Sequence, residues 1–263
     1  MARAAWRGLA GAALCIAALQ AHAHDSWLSP SRHDAPAGQL VLELGTGTRF
    51  PVQEFSQSPG SVVQAGCIDA TGQARALRPL AAQAQWLDLA ADLPSGPALA
   101  CWAELGEAEI EIEPPKVAVY LDEIRTSAAN RAAWAALQQR QLPWRERYRK
   151  FARMELPAAT AAARKPLGLP LEIVVLGDRA VAVGQPLQFQ VLRDGKPLAD
   201  FPVELVSERS AIGVWRRSDA EGVITHSLPF AGRWLLRGTD LRLSQQRPDS
   251  WESRFVTLVV EPR

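Results

Sequence analysis

The 263-residue chain carries 29 basic and 28 acidic side chains, four histidines and 48% hydrophobic residues, a formal net charge of +1. That composition belongs to a globular protein and excludes a disordered chain. A near-neutral balance also excludes electrostatic recruitment of nucleic acid or anionic lipid, which needs a basic patch that releases counterions.

Residues 1–23 have the three parts of a secretory signal peptide. Arg3 and Arg7 make the start basic, an apolar run follows from Gly8 to Leu19, and Ala21-His22-Ala23 supplies the small residues at the cut. The run is too short to span a bilayer, and no later segment approaches the roughly 20 apolar residues a spanning helix needs. The chain therefore reads as an exported, periplasmic protein without stable membrane insertion. Cutting after Ala23 leaves His24-Asp25-Ser26-Trp27 as the mature start, and cutting after Ala21 leaves His24 in third position. Loss of Arg3 and Arg7 lowers the basic count from 29 to 27 against 28 acidic residues.

From Gln39 to Glu113 short β-forming runs alternate with Gly, Pro, Ser and Asp clusters: QLVLELGT, SVVQAGCID, QWLDLA, ALACWAE and AEIEIE. Repeated short strands with turn signals between them predict a β-sandwich over residues 24–113. Cys67 and Cys101 lie in two of those runs, in a compartment that permits disulfides, and are expected to pair. In EAEIEIE the residues Glu107, Glu109, Glu111 and Glu113 share one face, which reads as a solvated face that discourages edge pairing.

After Pro114-Pro115 the period changes to helical, with Val117, Tyr120, Leu121 and Ile124, then Trp134 with Leu137, then Trp144, Tyr148 and Phe151. This predicts a helical insert over residues 114–156, its last helix basic on the outer side through Arg145, Arg147, Arg149, Lys150 and Arg153. Residues 157–170, rich in Ala and Pro, read as a linker. Strands then resume over residues 171–263, with turns at Asp194-Gly195-Lys196 and Asp219-Ala220-Glu221-Gly222. The predicted fold class is mainly β, two β-sandwich domains of immunoglobulin-like or transthyretin-like type with a short helical insert between them.

HDSWLSPS, WRERYRKFARMEL, DGKPLADFPVEL, SDAEG followed by GRWLLRG, and WESRFVTLVVE together resemble a periplasmic bacterial family of unknown function. Its members often carry the label of a nickel-transport, substrate-specific periplasmic component. The resemblance spans nearly the whole mature chain. It implies a mature chain that starts at or near histidine, and a carboxy-terminal sandwich similar to transthyretin-like or carboxypeptidase-regulatory domains. Many members are similar in a further respect that this chain lacks: a histidine shortly after the GRWLLR segment, where Gly238, Thr239 and Asp240 stand here.

An amino-terminal histidine chelates a divalent transition metal through its α-amine and imidazole Nδ1, a set suited to Ni, Co or Cu. His24 is the expected primary ligand. His226 in VITHSLP falls on the apolar face with Ile224 and Leu228, His33 lies in the loop SPSRHDAPAG, and Asp25 is a neighbouring oxygen donor. Packing of the amino-terminal strand along the second domain would bring His24 to His226. The expected role is metal binding in uptake or handling, serving a membrane metal transporter; the rival class is a non-metal adaptor that binds a protein or glycan. Catalysis is not expected, because the chain lacks a G-x-S-x-G elbow, a phosphate-binding glycine loop and an H-E-x-x-H helix.

Overall fold

The computed structural model describes residues 24–263; the predicted leader lies outside them. Along the chain, β1 (Asp25–Pro30), β2 (Gln39–Gly47), β3 (Phe55–Ser56), β4 (Val62–Asp69) and β5 (Ala74–Ala76) come first. They lead to β6 (Arg78–Ala82), β7 (Trp86–Asp92) and the long β8 (Ala98–Ile112). Helices α1 (Pro114–Glu123) and α2 (Ala128–Gln139) interrupt the strands before β9 (Trp144–Glu155). Then follow β10 (Leu171–Val175), β11 (Pro186–Arg193), β12 (Lys196–Pro197), β13 (Pro202–Ser207), β14 (Val214–Arg217), β15 (Val223–Ser227), β16 (Trp234–Leu243) and β17 (Trp251–Val260).

The fold is mainly β, as predicted, and its strands form three stacked layers. The middle layer is an eight-stranded sheet in the order β14-β13-β16-β17-β9-β8-β4-β5. It is continuous because β17 pairs in parallel with β9, from Trp251 opposite Glu146 to Val259 opposite Met154. Side chains on successive residues point to opposite faces of a strand, and both faces here are covered. Val206, Leu235, Val259 and Met154 face the five-stranded sheet of β1, β2, β3, β6 and β7. Leu205, Leu236, Leu258 and Phe151 face the four-stranded sheet of β10, β11, β12 and β15. The two expected sandwiches thus share their middle sheet.

Beside the five-stranded sheet, the two helices cover a further part of the same face. Pro114 and Pro115 open α1, and Ser127 Oγ accepts a hydrogen bond from the Asn130 amide to cap α2. Val117, Tyr120, Leu121, Trp134 and Leu137, the predicted inner residues, pack on Ile112, Trp144, Trp251 and Phe255. Trp144 and Trp251 stack at 4.5 Å, and neither has exposed surface.

The predicted insert of 114–156 needs correction: residues 144–155 are a strand. Their mixed period arises because β9 is covered differently along its length. Trp144, Glu146 and Tyr148 turn toward the helices, whereas Phe151 and Arg153 turn toward the four-stranded sheet. The arginines between them are paired within the chain. Arg145 pairs with Glu111, and Arg147 pairs with Glu107 and Glu252. The acidic row of β8 and the basic row of β9 are therefore two sides of one cross-strand ladder.

The expected linker is also packed. It contains a 3-10 turn, Ala161–Arg164, whose Arg164 is buried against Glu155 at 3.0 Å, beside the buried pair Arg153–Glu172 at 3.3 Å. Both predicted turns are present. Asp194 and Gly195 take positive φ, as a two-residue hairpin turn requires, and Asp219 Oδ1 accepts from the Glu221 and Val223 amides.

Cys67 and Cys101 form a disulfide between neighbouring strands β4 and β8, with 34 residues of sequence separation. Closing a loop of that length stabilises the fold by about 4 kcal/mol in the chain-entropy model. Replacing both cysteines with alanine should lower the thermal unfolding midpoint by about 10 °C. An unchanged midpoint would show that the bridge adds nothing to the strand pairing around it.

Candidate functional site

Where the edge of the five-stranded sheet meets the end of α1, the middle sheet is left partly uncovered. A cleft of about 380 Å³ opens there, lined by Asp25, Thr48, Asp122, Glu123, Ile124, Arg125, Glu204, Trp215, Arg237, Gly238 and Thr239. Its floor is polar because residues on the inward face of β13 and β16 change character at this point: Val206 is followed outward by Glu204, and Leu235 by Arg237 and Thr239. The floor is closed by an ion network. Arg237 Nη1 donates to Asp25 Oδ2 at 2.9 Å, and its Nε donates to Glu204 Oε2 at 2.8 Å. Above it Trp215, cross-strand partner of Glu204, carries the Arg125 guanidinium over its ring at 4.6 Å.

Burial dominates the electrostatics. The Asp25 carboxyl is pushed above the usual carboxylate range by desolvation, opposed by the charges of Arg237 and Lys150. Lys150, on β9 beside Asp25, is lowered to about 8 by desolvation, against the pull of Asp25. Its ammonium donates to the His24 carbonyl at 2.8 Å and lies near the rings of Tyr148 and Phe255. Further under the helices, Glu146 is buried and raised by desolvation, while Tyr120, Trp144 and Ser253 all donate to it.

The residues proposed as metal ligands are distributed over three places. His24 is half-buried just before β1, its ring edge-on to Phe55 at 5.3 Å. Asp25 is buried and engaged by Arg237. His33 is exposed in the β1–β2 loop, its amide donating to Ser31 Oγ at 3.0 Å. His226 is half-buried on β15, opposite Leu187, with its protonation disfavoured first by desolvation and then by the charge of Arg216. Because β1 and β15 belong to the two outer layers, His24 and His226 lie on opposite sides of the middle sheet. Among the described residues, no group of three or more His, Cys, Asp or Glu is arranged to hold a metal ion.

Sequence reasoning missed Lys150, Glu204, Trp215 and Arg237. A usable signal existed for Arg237: in GRWLLRG both faces of the strand are apolar, so a charged residue entering that run marks where a cover ends.

A family described as a domain of unknown function, DUF4198, matches residues 21–239. The chain belongs to the DUF4198 family. The DUF4198 match runs from just before β1 through Thr239 and so includes every residue that lines the cleft. No curated protein and no solved structure matches the chain. Among the described residues of this DUF4198 protein, no helix is long and apolar enough to cross a membrane.

The lowered Lys150 makes a signed prediction. The folded protein releases this proton near pH 8, whereas an unfolded lysine holds it to 10.5. Unfolded chains therefore bind more protons between those values, and stability contributed through Lys150 rises with pH across that window. Unfolding midpoints measured from neutral pH into this window should rise more for the wild type than for Lys150→Met. Parallel profiles would show that Lys150 is not desolvated in solution.

Proposed function

We propose that the protein is an exported, periplasmic, non-catalytic binding protein whose working site is the cleft between α1, β14 and β16. One observation carries this reading: a concave polar site with a fixed ion network on its floor and an aromatic ring on its wall. Ligand sites combine these features, with a few oriented polar groups setting specificity. The chemistry of its lining favours holding a molecule over transforming it. Asp25, Glu204 and Arg237 satisfy one another, which leaves them poorly placed to exchange protons with a substrate. Export is supported by the leader pattern of residues 1–23 and by the buried disulfide.

A second reading is transition-metal handling, with Ni, Co or Cu passed to a membrane transporter. The observation in its favour is the Lys150 hydrogen bond to the His24 carbonyl, which would fix the chelating residue of a chain that starts at His24. Against it stands the separation of His24 from the imidazoles of His33 and His226. A single amino-terminal chelate exchanges its metal readily, and a delivery site needs more donors.

Thermal unfolding of protein purified from the periplasm, with intact mass read in parallel, separates the two. A chain starting at His24 should show the same midpoint with Ni(II), Co(II) or Cu(II) as its His24→Ala variant. A shift confined to the wild type, with one metal retained per chain through buffer exchange, would transfer the function to His24. At a hundredfold excess over Kd a bound metal stabilises by about 2.7 kcal/mol, which is easily resolved.

A further inference from the structure

We infer that the cleft takes an organic cation, a guanidinium or alkylammonium compound, seated on Trp215 in the place now held by Arg125. This rests on the cleft being the working site. The cleft has already selected a cation from its own chain. Arg125 is an exposed residue whose guanidinium covers the half-buried ring of Trp215 at 4.6 Å, the geometry in which a ring quadrupole attracts positive charge.

Arg125 holds that position against its own backbone preference. It follows the α1 cap residue Ile124 with φ of 47°, where the left-handed conformation favours glycine. The contact its side chain makes from that position is the one over the Trp215 ring. A side chain anchored only through a strained residue at a helix end can swing aside when a stronger cation arrives.

The surroundings fit a cation better than an anion or a neutral solute. Four carboxylates, Asp25, Asp122, Glu123 and Glu204, line the cleft against two guanidiniums; Arg237 is shared between Asp25 and Glu204, and Asp122 pairs with Arg131 outside the lining at 2.7 Å. The wall beside Trp215 is the last turn of α1, the end of a helix that carries partial negative charge. An anion entering here meets more carboxylates than guanidiniums, and a neutral sugar gains the ring face but nothing from the charge.

Isothermal titration calorimetry with agmatine, which carries both a guanidinium and an ammonium, tests this, with glucose as neutral probe and succinate as anion. Agmatine should bind once per chain and at least about tenfold more tightly than either comparison compound, a difference of 1.4 kcal/mol. Trp215→Ala should lose the binding, and Trp215→Phe, which keeps a ring in the strand, should retain part of it. Arg125→Ala should tighten agmatine binding, because it removes the internal competitor. Weaker binding in Arg125→Ala would overturn the inference, since Arg125 would then be a partner of the ligand. Glucose or succinate binding more tightly than agmatine, and lost in Trp215→Ala, would overturn the cation assignment while keeping the cleft as the working site. Absence of binding by all three in a chain with an unperturbed unfolding midpoint would overturn the cation assignment and count against the cleft itself.

Discussion

The parallel pairing of β17 with β9 is the constraint on which the rest of the molecule depends. It joins the strands that close the chain to β9 and, through it, to β8, β4 and β5, so that one eight-stranded sheet runs through both sets. A sheet buried on both faces needs a cover on each side, and its strands lose the simple alternation of inward apolar and outward polar residues. Here the five-stranded sheet and the two helices divide one face, and the four-stranded sheet takes part of the other. The cleft is what remains where two covers of different shape fail to meet.

That seam explains why charge is concentrated there. Burying a charge without a partner costs several kcal/mol, so the residues that line an incomplete cover must be ionic partners of one another. Arg237 answers both Asp25 and Glu204, and Lys150 is held by the His24 carbonyl beside Asp25. Such pairs add little net stability compared with an apolar filling of the same volume. They do fix the position of each polar group, which is the property a binding site uses. The buried pairs Arg153–Glu172 and Arg164–Glu155 play the corresponding part under the four-stranded sheet, where they pin the segment between β9 and β10.

Features encoded by neighbours in the chain were legible in the sequence. The Asp194-Gly195 and Asp219–Gly222 turns, the proline start of α1 and the inner residues of both helices follow from local chemistry, and the pairing of Cys67 with Cys101 from the expected export compartment. What misled was β9. Trp144, Tyr148 and Phe151 match a helix period, yet they belong to a strand whose one face is covered by the helices and then the five-stranded sheet, while its other face is covered by the four-stranded sheet only in the second half. A period measured along the chain cannot register a cover contributed by other elements of the fold. The same reason hid the cleft, since Glu204 meets Arg237 through the pairing of β13 with β16, and Asp25 reaches them through the stacking of layers.

His24 shows how far a local motif can carry a functional argument. Its chemistry as a terminal residue is sound, but a metal site is a property of several donors meeting, and the layers send the imidazoles of His24 and His226 to opposite sides of the middle sheet. The same β1 that presents His24 also delivers Asp25 into the ion network of the cleft. At this end of β1 the contribution to the cleft comes from Asp25, which lines it, and not from His24, which does not. Around it the floor is built from paired charges on β1, β13 and β16, while the wall is an edge strand and the end of a helix, so the polar groups at the base are held by one another and those at the rim by the ends of elements.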